Sequence, residues 1–291
     1  FQKWFQIEKP SHDEQPHRKA EELACLTTDI QPTPLHVLLA RRAKEQLDRL
    51  RAGQAKVLPQ KRASSLEGIW FSTLGDPLPR QEPKVQKSLP QQQDGTFSVE
   101  RISLEVEPGI VVPLLLIKPG EKKSVSCIVA VSQHGKEKFL QERAGPIAEL
   151  LESGIAVCLP DVRGTGETSP DEGRGRNGSL TSYSSSELML GETMVGAQVR
   201  DLRSVLQFLR SRKDLDAGRI ALWGDSFAPV NPTGKDHAAP FDVANGPKSS
   251  EPLGGLLVLF TALFEGEKEI RAVYARGTLV SYESLLESPY L

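Results

Sequence analysis

Residues Arg219–Phe227, Arg-Ile-Ala-Leu-Trp-Gly-Asp-Ser-Phe, constrain this chain more than any other stretch. Arg219–Trp223 is mostly apolar without alternation, which predicts a short strand covered on both faces. Ser226 follows at the tip of a predicted tight turn, with Gly224 two residues before it and the small Ala228 two after. Small neighbours let the backbone fold back on itself, hold the serine in a strained conformation and present its hydroxyl above the sheet. The same turn would leave the Phe227 N–H free to face a developing negative charge. Gly-Asp-Ser is also an ordinary strand-ending turn, so the reading depends on what lies upstream.

Upstream, Phe97–Val106 alternates as a half-buried antiparallel strand, Pro108-Gly109 turns, and Ile110–Lys118 returns as a second strand. Then strands and helices alternate. Ser126–Ser132 is an apolar strand, followed by Gln133-His134-Gly135-Lys136 and a helical pattern over Phe139–Ser153 that stops at Gly154. Ile155–Pro160 is another buried strand, leading to Asp161-Val162-Arg163-Gly164-Thr165-Gly166; a Gly- and Ser-rich loop is expected to about residue 186. Met194–Arg212 reads as an amphipathic helix, Leu253–Phe264 as a deeply buried one, and Ile270–Ala275 as a final strand. Such alternation predicts an α/β fold, a mostly parallel sheet with helices on both faces, whose ligands bind at the carboxyl ends of the strands. The loops at 133–136, 161–166 and 225–227 all fall there.

These three loops in register resemble the α/β-hydrolase superfamily over roughly residues 96–288. Within it they are similar to bacterial carbohydrate esterases of the acetylxylan esterase type, relatives of the dienelactone hydrolase and prolyl oligopeptidase groups. The resemblance implies Ser226 as nucleophile and the backbone N–H groups of Lys136 and Phe227 as the oxyanion hole. It implies loop support from His134, Asp161 and Arg163, with His134 as a competing candidate for the catalytic base. Arg163 suits a substrate carboxylate, although a salt bridge to Asp161 or a bond to a loop carbonyl is the plainer expectation. Gly164-Thr165-Gly166 lacks the third glycine and following helix of a dinucleotide loop.

In that superfamily an acid and then a histidine follow the serine. Here only His237 does, in a loop at Pro229–Pro252 with five prolines. The fold is therefore expected to be truncated, with acid and base beyond Leu291; an unusual local set of Asp236, His237 and Asp242 is the alternative. A serine without its base is a weak nucleophile, so slow hydrolysis is expected of these 291 residues alone.

Three functions are compatible with these residues. One is a serine carboxylesterase on acetylated or otherwise esterified polysaccharide. Another is a prolyl oligopeptidase-type peptidase, for whose propeller domain residues 1–95 are too short. The third is a non-catalytic, hydrolase-like binding module. No cofactor is implied, since serine acyl transfer needs none. A net charge of −2 gives no sign of a nucleic-acid partner, and no apolar run approaches the roughly 20 residues of a membrane span. Extracellular or periplasmic location is implied by the resemblance alone.

Residues 1–95 read as an N-terminal extension and linker. Residues 1–18 are polar, with His12 and His17 on an expected solvated arm; leucines at helical spacing predict a helix from Pro34 to Gly53, and residues 54–95 are expected to be a long extended connection. Cys127 and Cys158 fall in apolar strands and are expected to be small buried hydrophobes, and the odd total of three cysteines argues against a disulfide framework.

Overall fold

The computed structural model describes residues 2–6, 8, 18–25, 33–55, 57–94, 97–120, 124–170, 179–228 and 251–283. His12, His17, Asp236, His237 and Asp242 lie outside the described residues. Seven strands form one sheet in the order β1-β2-β3-β5-β4-β6-β7. They are β1 (Lys84–Asp94), β2 (Phe97–Glu107), β3 (Ile110–Pro119), β4 (Val125–Ser132), β5 (Ala156–Pro160), β6 (Leu215–Asp225) and β7 (Ala272–Ala275). β1, β2, β3 and β5 pair antiparallel in turn, while β5, β4, β6 and β7 pair parallel. Five of the seven therefore run in one direction, which is the mixed, mostly parallel sheet expected.

Side-chain alternation along β4 divides the core. Val125, Cys127, Val129 and Val131 point to one face, with Leu202, Leu206 and Leu257. Ala130 points to the other, with Phe139, Ile147, Leu159 and Trp223. The first face is covered by α7 (Met194–Ser211) and α8 (Leu253–Glu265), the second by α5 (Gly135–Glu152). Each fully buried Leu, Ile, Val or Phe contributes about 1.5–3 kcal/mol, so burial on both faces explains why central strands carry unbroken apolar runs. Cys127 and Cys158 are buried and unpaired as expected, and burial pushes the Cys127 thiol up to about 12.

Two expected loops are structured. Residues 54–95 are not a long extended connection: they form α4 (Pro59–Leu74) and β1. The Gly- and Ser-rich stretch ends in α6 (Ser179–Met189) rather than a loop. In α4 the contact with the core is confined to the last turns, at Trp70 and the buried Leu74, while the large apolar side chains of α6 are mostly exposed. Trp70 of α4 packs on Phe260 of α8 with ring centroids 4.7 Å apart. The last turn of α4 is closed by α7: Leu74 O accepts from the Thr193 amide at 3.2 Å and its hydroxyl at 2.7 Å. Thr193 also caps α7 by accepting from the Gly196 amide at 3.0 Å. The two smaller helices ahead of α4 are α1 (Gln2–Phe5) and α2 (Ala20–Leu23), and α3 (Leu35–Gln54) matches the helix predicted by the leucine spacing.

A methyl group at Gly196 would lie 2.1 Å from Leu74 O, whereas one at Gly53 meets nothing within 4 Å. Gly196→Ala is expected to lower stability by about 1–3 kcal/mol. Gly53→Ala, in the open face of α3, is expected to raise it by about 0.5–1 kcal/mol. Urea unfolding midpoints at fixed slope measure both.

Candidate active site

The parallel register of β4 and β6 sets Ser132 beside Asp225, so the loops leaving the two strands emerge as neighbours. Gly224 is required by the helix behind it: a methyl there would stand 2.2 Å from Gly254 O at the start of α8. Asp225 is fully buried. It accepts from Arg143 Nε at 2.7 Å, Arg143 NH2 at 3.1 Å, Trp223 Nε1 at 3.2 Å and the Ser226 amide at 2.8 Å. Pro146 delivers Arg143 to this position. It interrupts α5, and Arg143 takes non-helical dihedrals of −127° and 24°. The Glu142 carbonyl, which a proline four residues on cannot reach, accepts from Arg143 NH1 at 3.0 Å. The bond to Asp225 raises the Arg143 pKa above its ordinary value. The Arg143 guanidinium also lies over the Phe227 ring, 4.8 Å from its centroid.

Ser226 sits at the end of β6, half-buried, and its Oγ accepts from the Ala228 amide at 3.3 Å. Gly277 closes against it, since a methyl there would lie 2.8 Å from Ser226 Cβ. The strained conformation expected at Ser226 is not adopted: among the described residues the only non-glycines with positive φ are Gln6 and Ser124. Residues 226–228 continue past β6 as non-helical backbone, with the Ser226 amide held by Asp225 Oδ1 at 2.8 Å.

The two expected oxyanion donors both face carboxylates. The Phe227 amide donates to Glu251 Oε2 at 2.9 Å. The other oxygen of this buried carboxylate, Oε1, is 2.9 Å from His134 Nε2. The Lys136 amide donates to Asp161 Oδ1 at 2.7 Å, and the Lys136 ammonium reaches Asp161 Oδ2 at 2.6 Å and Glu167 at 2.5 Å. Asp161 Oδ2 also accepts from the Glu167 amide at 2.9 Å. This carboxylate ties the 133–136 loop to the 161–166 loop. Gly135 and Gly166 make the tie possible, because a methyl at either would fall within 2.6 Å of the Asp161 carboxylate. Gly135 and Lys136 are the first residues of α5, which starts four residues earlier than its apolar pattern suggested.

Arg163 pairs with neither Asp161 nor a loop carbonyl. Its Nε and amide donate to Asp201 Oδ2, each at 2.9 Å, and NH2 donates to Asp201 Oδ1 at 2.6 Å and Glu107 Oε1 at 2.5 Å. Burial opposes the charge on Arg163, but these two carboxylates outweigh it and raise the pKa. Glu107 also pairs with Arg80 at 3.1 Å and the buried Arg200 at 3.3 Å. Arg163 is therefore part of an internal charge network. Of the three residues expected to support the loops, Asp161 ties the 133–136 and 161–166 loops, His134 meets Glu251, and Arg163 joins the charge network. Arg143 and Glu251 were missed. The one signal for Arg143 was Pro146 inside a helical pattern; Glu251, in a proline-rich stretch, gave none.

A cavity of about 580 Å³ opens on this rim, lined by Gln133 and His134, Gly164, Ser169, Leu180 of α6, Met194 and Gln198 of α7 and Leu253 of α8, among others. No group of three or more metal-ligating side chains occurs among the described residues. No described helix is long and apolar enough to cross a membrane.

No protein-family model matches the chain, and no curated protein is significantly similar to it. Solved structures are. A candidate acetyl xylan esterase of Bacteroides fragilis NCTC 9343 is 18% identical, with a TM-score of 0.45, covering 56% of this chain and 46% of its own. Acetyl xylan esterase from Paenibacillus sp. R4 is 22% identical, with a TM-score of 0.36, covering 57% and 50%. Glucuronoyl esterase from Solibacter usitatus is 16% identical, with a TM-score of 0.38, covering 56% and 51%. The chain thus spans about half the length of each.

Arg143→Met would leave the Asp225 carboxylate buried without its cation, and is expected to cost about 3–5 kcal/mol in urea unfolding. For Glu107, burial raises the pKa, but the bonds and charges of Arg163 and Arg200 outweigh it, so the folded value lies below the ordinary 4.5. Its contribution is fully present above the unfolded pKa and is lost as pH falls through the folded one. The stability gap between the unmodified chain and Glu107→Gln is therefore expected to shrink as urea titrations move below pH 4.5.

Proposed function

We propose that this chain is a serine ester hydrolase of the carbohydrate-esterase kind, with Ser226 as nucleophile in an acyl-enzyme mechanism. The observation that carries the reading is the place of Ser226. It directly follows β6, an interior parallel strand, and is half-buried, and the amide after it is bound by the carboxylate that also meets His134. Ligands of open parallel sheets bind at this rim. A carbonyl attacked there develops negative charge on its oxygen, and one preorganised N–H donor to such an oxygen contributes about 3–4 kcal/mol. Phe227 supplies that donor when the substrate oxygen replaces Glu251 Oε2 as its acceptor. The Lys136 amide is held by Asp161, a carboxylate only 1% exposed that carries further donors, so a second donor from this position requires the loop tie to open.

A non-catalytic binding module is the second reading. The engagement of both amides by carboxylates and the unstrained backbone at Ser226 favour it. Turnover of p-nitrophenyl acetate by the full chain and by Ser226→Ala separates the two. A fall of at least about 100-fold in the variant is expected for a nucleophile. Equal rates, with no labelling of Ser226 by a fluorophosphonate, would favour the binding module.

A further inference from the structure

We propose that the cavity of about 580 Å³ at the rim is a binding site for an uncharged aliphatic molecule that carries a hydroxyl group, with Gln198 as the acceptor of that hydroxyl. This site is separate from the esterase reading and needs no role for Ser226. Its walls are aliphatic: Leu180 of α6, Met194 and Val195 of α7, and Leu253 and Leu256 of α8. No Lys, Arg, Asp, Glu, Phe, Tyr or Trp is among the described residues that line it. His134, the one titratable group on the wall, is already engaged by Glu251. An ion would enter without a counter-charge, and a bare sugar ring would bury several hydroxyls with too few partners. A volume of this size is ordinary for a small-molecule site.

Gln198 supplies the observation that points to a ligand. It is 3% exposed, and its Nε2 donates to Arg163 O at 2.9 Å. Its Oε1 is buried without a hydrogen-bond partner, the only such side-chain atom among the described residues that line the cavity. The two ends of the amide cannot be exchanged, since a flip would set Oε1 against the Arg163 carbonyl oxygen. That carbonyl is fixed in turn, because Asp201 holds Arg163 through both its amide and its side chain. An unmatched buried acceptor is costly, and a donor arriving from the cavity removes the cost. The last torsion of a glutamine is soft, so a small rotation carries Oε1 to such a donor. Gly164 keeps room beside it: a methyl there would lie 3.1 Å from Leu180 Cδ2 and 3.8 Å from Gln198 Nε2.

A primary alcohol with an alkyl chain has the matching chemistry. Its chain covers the leucine and methionine walls, and its O–H donates to Gln198 Oε1. Ser169 and Ser184 line the same cavity and carry hydroxyl donors for its oxygen.

The test is a ligand-observed NMR titration of the full chain with n-octanol, its isomer heptyl methyl ether, octanoate and glucose. Octanol is expected to bind. The ether keeps the oxygen but has no O–H, and is expected to bind about five- to tenfold more weakly. Octanoate and glucose are expected to bind at least about tenfold more weakly than octanol. In Gln198→Met the alcohol and the ether are expected to bind alike. Leu180, 44% exposed, tolerates a larger side chain, and Leu180→Trp is expected to narrow the cavity and weaken octanol binding at least about tenfold. No binding of octanol, octanoate binding as tightly as octanol, or equal affinity for alcohol and ether in the unmodified chain would overturn the assignment. So would unchanged octanol binding in Leu180→Trp, or an alcohol preference that persists in Gln198→Met. If urea titration shows Gln198→Met unfolded, the alcohol–ether comparison on the unmodified chain and Leu180→Trp decide between the same outcomes.

Discussion

The buried carboxylate of Asp225 sets the geometry of the rim. It receives four donor contacts from Arg143, Trp223 and the Ser226 amide, so the end of β6 has one arrangement. A buried charge is tolerable only when paired and bonded, and here the partner comes from the kink that Pro146 puts into α5. The kink also brings the guanidinium onto the Phe227 ring, which packs edge-on against Phe139 with centroids 5.7 Å apart. The end of β6 that leads into Ser226 is thus held by one break in α5, on the face of the sheet that carries Trp223.

Carboxylates organise the rest of the rim as well. Asp161 gathers the 133–136 and 161–166 loops through two amides and an ammonium, and Glu251 joins His134 to Phe227. Each accepts a backbone N–H at the rim, Asp161 from Lys136 and Glu251 from Phe227. For Asp161 this is a structural tie, dense and inaccessible. Glu251 differs because it also meets a half-exposed imidazole on a cavity wall, and so joins the loop after β4 to the segment that follows β6.

Charge also anchors the N-terminal part of the described chain. Arg200 donates to Asp76 O at 2.9 Å and pairs with Glu192 at 2.9 Å and Glu107 at 3.3 Å, while Arg80 bonds to both of those glutamates. Together with the Leu74–Thr193 contacts, this network fixes the end of α4 and the segment leading to β1 against α7 and β2. A buried array of this kind is weak as a source of net stability but costly to leave half-formed. It therefore specifies where the segment docks more than how tightly the domain holds.

The sequence alone determined the strand and helix alternation, the two faces of the sheet, and which three loops meet at its rim. Apolar periodicity and glycine at tight approaches are local properties, written along the chain, and packing on both faces enforces them. Tertiary structure alone decided the partners of the charged groups. Arg163 chose Asp201, 38 positions away, over the adjacent Asp161, and Arg143 reached Asp225, 82 positions away. It also decided that residues 59–74 and 179–189 are helical and that Ser226 is unstrained. Periodicity cannot specify these outcomes, because the energy of an ion pair or a docked weak helix depends on which surfaces meet after the core has formed.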